Sequence, residues 1–404
     1  MKLQKKSLLL LTTLFLVLAV TSVTLLSQNP NIRSDPSQTV KNATLIWEKT
    51  YGGKGDDRAF HAVKAEDGYL VVGSSTSFTP GETTAWVLRV DSDGNELWNR
   101  AFSRNAGSEF RQALTLEDGF LLVGNTFLTS GNTNGYVVKI DKQGNPIWNL
   151  TAKKENGLNK LFSACPTQDN FLLAGLAKAP DSENSDVWLI KISAQGNLIW
   201  NKTFGGATDD AGRAVTPTQD SGCIIAGYTD STGNGNYDFL TIKTDTSGNL
   251  LWNHTYGGTQ SDKAYAIAPA ADGYVIAGDT RSKGAGETDA WTVKIDFGGN
   301  LLWEKAFGGN GFDAPTCIAQ ASQGEFLVGG TTFSFGNGQR DFWLFNVEEA
   351  GSVGWSCTVG RSGYEEAYAV LPVGTGELVM AGWTNSLGEG SYDFYFVKLG
   401  ETGS

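Results

Sequence analysis

Short stretches of alternating apolar and polar residues recur along the chain after residue 44. In one of them, Trp291, Val293 and Ile295 fall on one face, and the residues between them on the other. This period of two is that of a β-strand, whose successive side chains point to opposite faces. After the first thirty residues, no stretch keeps the 3.6-residue apolar period of an amphipathic helix. The pattern therefore predicts an all-β fold.

The strands belong to a unit of about 50 residues that repeats along the chain. In one unit, residues 264–267 form a first strand, and an Asp-Gly turn leads to a second strand over 274–278. The third strand covers 291–296, and a Gly-Asn turn leads to the fourth. One tryptophan marks each fourth strand: Trp47, Trp98, Trp148, Trp200, Trp252, Trp303 and Trp355.

Four short strands in such a unit are typical of a β-propeller blade. One blade cannot bury both of its faces, so blades pack around an axis and the ring must close. The last unit ends after its third strand, over residues 393–398, whereas residues 45–51 form a spare fourth strand ahead of the first unit. We predict that these two segments pair and complete a seven-bladed propeller over residues 45–404, without a long free edge.

The stretch V-K-I-D-x-x-G-N-x-x-W in the repeat resembles the D-x-x-G-x-x-x-W repeat of PQQ-like propellers, the quinoprotein dehydrogenase superfamily. It is also similar to the propeller repeats of secreted bacterial and archaeal proteins. The resemblance implies that each repeat tryptophan packs between neighbouring blades. Quinoprotein dehydrogenases carry a vicinal disulfide and a calcium-bound quinone, but this chain has no Cys-Cys pair. We therefore expect no cofactor.

The N-terminus carries three lysines ahead of an apolar stretch over residues 8–26. A helix of that length spans about 28 Å, close to the thickness of a bilayer core. We predict a signal anchor, or a cleaved signal peptide, over residues 1–26, followed by a polar linker over 27–44. Because the lysines stay on the cytoplasmic side, the propeller would lie outside the cell, membrane-anchored at the cell surface or secreted.

The charge of the chain excludes one class of partner. The formal net charge is -12, and no stripe of Lys or Arg offsets it. Such a surface repels phosphate backbones, so nucleic acid is not expected to bind. Four N-x-S/T sequons fit an exported protein, although three of them directly follow a repeat tryptophan and can be part of the strand motif: Asn42, Asn149, Asn201 and Asn253.

Two sets of repeated carboxylates are candidates for chemistry. The first precedes the first strand of five units: Asp57, Asp210, Asp262, Asp313 and Glu365. These acids can form a partial ring that binds Ca²⁺ at a channel mouth, or each can cap its own turn. The second set opens the third strand and is expected to cap turns: Asp186, Asp238, Asp289, Asp341 and Asp393.

Histidine and cysteine give little support for a metal site or a catalytic triad. The chain has only two histidines, His61 and His254, in different units. The four cysteines can form disulfides between adjacent blades or remain buried thiols: Cys165, Cys223, Cys317 and Cys357.

Together, these observations favour a non-catalytic module that binds a protein or a glycan at the cell surface, through loops on a rigid scaffold. One alternative is a propeller-based enzyme of the sialidase or lyase type, acting on glycans. That function requires carboxylates and an arginine cluster facing the channel, whereas the arginines are few and scattered along the chain. Another alternative is a structural or assembly component of the cell envelope. A cluster of Arg, Glu and Tyr at a channel mouth would favour the enzyme.

Overall fold

The computed structural model describes residues 32–33, 43–79, 81–104, 106–154, 157–179, 182–374 and 376–401. Its regular elements over these ranges are all β-strands, which confirms the all-β prediction. The helix predicted over residues 8–26 lies outside the described residues, so the anchor and the export of the protein stay predictions. Nowhere in the described ranges does a helix have the length and apolar character needed to cross a membrane.

The first half of the chain forms β1 (Ile32–Arg33), β2 (Ala43–Tyr51), β3 (Asp57–Ala65), β4 (Gly68–Ser75), β5 (Thr84–Asp91), β6 (Glu96–Phe102), β7 (Ser108–Leu116), β8 (Gly119–Phe127), β9 (Thr133–Ile140), β10 (Pro146–Ala152), β11 (Leu158–Pro166), β12 (Asn170–Lys178), β13 (Asp186–Ser193) and β14 (Leu198–Phe204). The second half forms β15 (Asp210–Pro217), β16 (Cys223–Thr229), β17 (Asp238–Thr244), β18 (Leu250–Tyr256), β19 (Asp262–Ala270), β20 (Gly273–Thr280), β21 (Asp289–Asp296), β22 (Leu301–Phe307), β23 (Asp313–Ser322), β24 (Glu325–Thr332), β25 (Asp341–Glu348), β26 (Val353–Val359), β27 (Glu365–Pro372), β28 (Glu377–Thr384) and β29 (Asp393–Glu401).

These strands pair as antiparallel sets of four, which is the predicted repeat unit. Strands β3–β6, β15–β18 and β19–β22 each form a separate four-stranded sheet. The set β23–β26 gains β1 as a fifth strand at its edge. A parallel bridge between Leu158 and Thr133 joins β7–β10 and β11–β14 into one sheet of eight strands. The hydrogen-bonded sheets of the described residues are therefore not seven separate four-stranded sheets.

The two ends of the repeat region meet in one sheet. Strand β2 pairs antiparallel with β29, so that Trp47 lies opposite Lys398 and Tyr51 opposite Phe394. The resulting strand order is β2-β29-β28-β27. The predicted pairing of residues 45–51 with the C-terminal strands is confirmed, and it leaves the C-terminal set with four strands like the others.

Six of the seven repeat tryptophans pack against a glycine in the hairpin turn of the next strand set. Trp148 on β10 lies against Gly196, and its indole N–H donates to the carbonyl oxygen of Ala194 at 3.1 Å. Trp200 on β14 lies in the same way against Gly248. Both glycines have positive φ angles, near +80°, which the tight turn requires and which glycine adopts without strain. Glycine is also required because the indole ring occupies the space where a Cβ would lie.

The first strands of the sets surround a central channel. Strands β3, β7, β11, β15, β19, β23 and β27 contact one another in cyclic order. The hydrophobic core lies between neighbouring sets: Ile224 and Phe239 of one sheet pack with Trp291 and Ile276 of the next. This arrangement of four-stranded sets around a channel is that of a β-propeller.

We predict that Gly248→Ala destabilises the fold more than Gly81→Ala, measured by urea unfolding. Both glycines have φ near +80°, so each substitution costs about 1–2 kcal/mol of backbone strain. A Cβ at Gly248 would also come within 2.6 Å of the Trp200 ring, whereas a Cβ at Gly81 meets no atom within 4 Å. Overpacking adds about 1–3 kcal/mol at the first site only. Equal losses in the two variants would contradict a stabilising contact between the sheets.

Candidate functional site

The channel contains a cavity of about 420 Å³. Every first strand, from β3 to β27, contributes residues to its wall. Concave sites of this size, lined by mixed aromatic and polar side chains, are typical of small-molecule binding. The cavity is therefore the candidate functional site.

A β-bulge occurs at the same position of every first strand, where the register with the second strand shifts by one residue. Bulges re-aim side chains, and here the bulged residue of each strand lines the cavity. We call these residues the bulge ring: Phe60, Arg111, Phe162, Arg213, Tyr265, Thr316 and Tyr368.

Arg111 of the bulge ring stacks on its aromatic neighbour. Its Cζ atom lies 4.0 Å from the centroid of the Phe60 ring. Its Nε and Nη2 atoms donate to the two carboxylate oxygens of Glu109, at 2.8 Å each. The charge of this guanidinium is therefore already balanced by a bidentate pair within its own strand.

Arg213 is stacked in the same way but has no counterion among the described residues. Its Cζ atom lies 4.1 Å from the Phe162 ring centroid and 5.5 Å from that of Tyr265. Its buried Nε has no hydrogen-bond partner among the described residues, and none of their carboxylates forms an ion pair with it. Burial lowers the pKa of Arg213, yet a guanidinium stays protonated in proteins. A desolvated cation of this kind is suited to binding an anion.

Tyr368 forms a hydrogen-bonded pair with a carboxylate of its own strand. Its hydroxyl donates to Glu366 Oε2 at 2.9 Å. The other oxygen of Glu366 pairs with Nη1 of Arg340, whose Cζ lies 4.6 Å from the Phe333 ring centroid. Arg340 therefore fixes the carboxylate, and the carboxylate is placed to accept the tyrosine proton.

A second tyrosine–carboxylate pair stands elsewhere in the cavity wall. The Tyr265 hydroxyl donates to Asp279 Oδ2 at 3.1 Å. Burial raises the pKa of Asp279 to about 6, and it outweighs the Tyr265 hydrogen bond and the charges of Lys263 and Arg281, which act in the opposite direction. A carboxyl group that titrates near neutral pH is suited to general acid catalysis.

His61 also lines the cavity, but its contacts are structural. Burial lowers its pKa to about 4, so the imidazole is neutral at physiological pH. Its Nδ1 accepts the backbone N–H of Ala113 on the next first strand, at 3.5 Å. Ser163 Oγ accepts the N–H of Val215 in the same way, at 3.1 Å. These side chains link successive first strands.

The carboxylates that precede the first strands are buried and hydrogen-bonded within their turns. Asp57 Oδ2 accepts the N–H of Gly53 at 2.8 Å and the hydroxyl of Ser77 at 2.7 Å. The equivalent acids accept a backbone N–H in the same way: Asp210, Asp262, Asp313 and Glu365. Across the described residues, no three His, Cys, Asp or Glu side chains are grouped so as to hold a metal ion.

Four of the third-strand carboxylates also accept backbone N–H groups of their own loops: Asp238, Asp289, Asp341 and Asp393. Asp289 Oδ2, for example, accepts the N–H of Gly286 at 3.0 Å. None of this set lines the channel cavity: Asp186, Asp238, Asp289, Asp341 and Asp393.

The other predicted residues lie away from the cavity, with one exception. Three of the sequon asparagines are exposed on fourth strands: Asn149, Asn201 and Asn253. Asn42 lies outside the described residues, and glycosylation stays a prediction. All four cysteines are free thiols, and Cys317 is the one that lines the cavity.

Sequence analysis missed the bulge ring, although a signal for it exists. In most units, the ring residue is the third residue after the position of the repeated acid, as Phe60 follows Asp57 and Arg213 follows Asp210. Side-by-side comparison of the repeats would have shown that this position carries arginine or an aromatic residue in six units and threonine in one. Variation at one position of a regular scaffold indicates a site.

No family model matches the chain, so the resemblance to PQQ-like repeats is not confirmed. The regulatory protein FlaEY of Caulobacter vibrioides is similar, with 26% identity over 200 residues. That match covers 44% of this chain and 20% of FlaEY. The chain therefore spans about a fifth of this relative's length.

Solved structures with a similar fold cover most of the chain. Sqt1 of Chaetomium thermophilum has a TM-score of 0.48 and 10% identity, over 88% of this chain and 97% of Sqt1. A puromycin hydrolase has a TM-score of 0.48 and 16% identity, over 81% of this chain and 50% of the hydrolase. A putative 6-phosphogluconolactonase from Bacteroides uniformis has a TM-score of 0.46 and 12% identity, over 74% and 85% of the two chains. At these identities, the likeness concerns the fold alone.

The predicted non-catalytic binding or scaffold role at the cell surface is corrected here. The channel brings together the arginine, carboxylate and tyrosine side chains whose clustering favours the enzyme alternative. The enzyme alternative therefore fits the molecule better.

We predict that Tyr265→Phe raises the pKa of Asp279 above its value of about 6. The tyrosine hydroxyl stabilises the charged carboxylate, so its removal favours the protonated form. The measurement is an NMR pH titration of ¹³C-labelled aspartate carboxyls, with Asp279→Asn to assign the signal. Tyr368→Phe is the matched control, because Tyr368 donates to Glu366 instead. An unchanged titration in Tyr265→Phe would contradict the pairing.

Proposed function

We propose that the protein is a glycoside hydrolase that cleaves acidic sugars in its propeller channel, which is the sialidase-type alternative of the sequence analysis. The observation that carries this proposal is the uncompensated Arg213 guanidinium in the same cavity as two tyrosine–carboxylate pairs. Each of these groups has a role in the reaction that follows.

Arg213 binds the carboxylate of the substrate sugar. A guanidinium presents two parallel N–H donors that match the two oxygens of a carboxylate. The substrate supplies the charge that Arg213 lacks, so binding repays part of the cost of burying this cation. The aromatic rings on either side of it, Phe162 and Tyr265, hold its plane in the channel.

The first step forms a covalent intermediate on Tyr368. The phenol oxygen attacks the anomeric carbon while Glu366 accepts the phenol proton. Asp279, protonated below pH about 6, gives its proton to the leaving oxygen. The glycosidic bond breaks, an alcohol leaves, and the sugar is held by a bond to the tyrosine oxygen. A tyrosine nucleophile of this kind is used by sialidases.

The second step releases the sugar. Asp279, now ionised, removes a proton from a water molecule, whose oxygen forms a bond to the anomeric carbon. The bond to the Tyr368 oxygen breaks, and that oxygen recovers its proton from Glu366. The sum of the two steps is hydrolysis with retention, because each step inverts the anomeric centre once.

The proposal predicts that kcat/KM falls as pH rises through about 6. Asp279 must carry its proton in the free enzyme, and its raised pKa places the loss of that proton near pH 6. Release of 4-methylumbelliferone from acidic-sugar glycosides, followed against pH, measures this. In Asp279→Asn, we expect a rate lower by about 10²–10⁴-fold and no limb at this pH.

Tyr368→Phe and Arg213→Met test the other two roles with the same assay. We expect Tyr368→Phe to abolish turnover, and Arg213→Met to raise KM for acidic glycosides. The matched control is Arg104→Met, since Arg104 lies outside the cavity wall. Cleavage of the neutral 4-methylumbelliferyl glucoside at the same rate as the acidic glycosides would contradict the role of Arg213. Full activity in Tyr368→Phe would contradict the nucleophile.

We also infer that the propeller has seven blades. The support is the grouping of β2–β29 into sets of four, with one inner strand of each set in a cyclic order around the channel. The parallel bridge between Leu158 and Thr133 joins two of these blades at strand ends. Isolated parallel bridges lie at other junctions as well, such as Thr288–Phe312 and Arg340–Tyr364. The bulge ring then has one residue from each blade.

A further inference from the structure

We propose that a second cavity, next to the channel, binds the leaving group, and that this leaving group is itself an anionic sugar. This inference rests on the proposed function and deepens it, because it defines the substrate as an acidic glycan with negative charge on both sides of the cleaved bond.

The second cavity has a volume of about 300 Å³. Its wall comes from the loop before β17, from the start of β19 and from the end of β20. It shares two residues with the channel cavity, Tyr265 and Asp279, and these stand between the two spaces. The proton donor of the proposed reaction therefore lies at the boundary, where a bond that joins two sugar units would pass.

Lys263 supplies one positive charge to this cavity. Its Nζ lies 3.9 Å from the Tyr237 ring centroid and 5.0 Å from that of Tyr228. Burial lowers its pKa, and its ammonium forms no ion pair with a carboxylate of the described residues. The two rings hold the ammonium in place by cation–π contact but do not neutralise it.

Arg281 supplies the second charge on the same wall. Within the described part of the chain, its guanidinium likewise has no carboxylate partner within 4.0 Å. Polar side chains that can bind sugar hydroxyls line the same cavity: Asn236 and Ser261. The protein as a whole carries a net charge of -12. Two cations with no ion-pair partner among the described residues, facing the one carboxyl group of Asp279, are therefore a local exception, which fits an anionic ligand.

The shape and the charge together define the substrate class. A carboxylate-bearing sugar in the channel meets Arg213, and the next unit meets Lys263 and Arg281. An aryl glycoside with an uncharged leaving group would use only the first of these contacts. The second cavity would thus affect the cleavage of charged disaccharides and leave the cleavage of aryl glycosides unchanged.

The test compares two kinds of probe with wild-type protein, Lys263→Met and Arg281→Gln. The charged disaccharides are α2,8-disialic acid and digalacturonate, and the aryl glycosides are the 4-methylumbelliferyl glycosides of the same sugars. We expect each variant to raise KM for the disaccharide about tenfold or more, as the loss of a hydrogen bond to a charged group does. Lys263 and Arg281 also lower the pKa of Asp279, so the variants are compared on the low-pH plateau, where Asp279 is protonated in all of them. There, the kcat/KM for the aryl glycoside should stay within about twofold, because one substrate makes the contact and the other does not.

Lys305→Met is the matched control, since Lys305 is exposed on the outer strand β22. This variant should change neither the KM for the disaccharide nor the kcat/KM for the aryl glycoside. If Lys263→Met and Arg281→Gln lose kcat/KM equally for the disaccharide and the aryl glycoside, or lose none for either, the second cavity is overturned while the proposed hydrolase stands.

A different outcome separates the two proposals. If the wild-type protein cleaves neither kind of probe, the proposed function fails. Calorimetric titration with the two disaccharides then tests the cavity alone. Binding that is weakened about tenfold in Lys263→Met supports an anion-binding cavity, and binding equal to wild type overturns it.

Discussion

Closing a ring of small sheets is the constraint on which the rest of this molecule depends. No four-stranded set can bury both of its faces, so each packs on its neighbours through contacts such as Trp148 on Gly196. The ring is fastened by one strand pairing, with Trp47 of β2 opposite Lys398 of β29. Because the scaffold is repeated and rigid, its inner strands all present the same position to the axis, and that position can vary without loss of the fold.

The β-bulges place one side chain of each first strand in the channel, and these side chains form the candidate site. In each first strand, the register with the second strand shifts by one residue at a β-bulge, and the bulged side chain lines the channel. The fold thus holds Arg213, Tyr265 and Tyr368 in one cavity although they are far apart in sequence. Burial then sets their chemistry: it desolvates Arg213, which has no carboxylate partner among the described residues, and it raises the pKa of Asp279 to about 6. The scaffold fixes the geometry, and desolvation supplies the reactivity.

Sequence patterns were sufficient for the strands, the four-strand unit and the closing pair, because period-two alternation and Gly-Asn turns are local signals. They were not sufficient for the cavity. Arg111, Arg213 and Arg340 look scattered along the chain, and only the topology places them around one cavity. Asp279 lies on a second strand, outside the conspicuous repeated acids, and its importance comes from burial that no sequence pattern records. The conspicuous acids instead accept hydrogen bonds from their own turns.

The central claim is that Tyr368 takes the sugar in a covalent bond. The most direct test is mass spectrometry of the protein after reaction with a fluorinated acidic glycosyl fluoride, chosen from sugars whose aryl glycosides it cleaves. Fluorine beside the anomeric carbon slows both steps, whereas the fluoride leaving group speeds only the first, so the intermediate accumulates. We predict one sugar per chain, on the peptide that contains Tyr368. A label on another residue, or turnover of the reagent with no labelled peptide, would contradict the account.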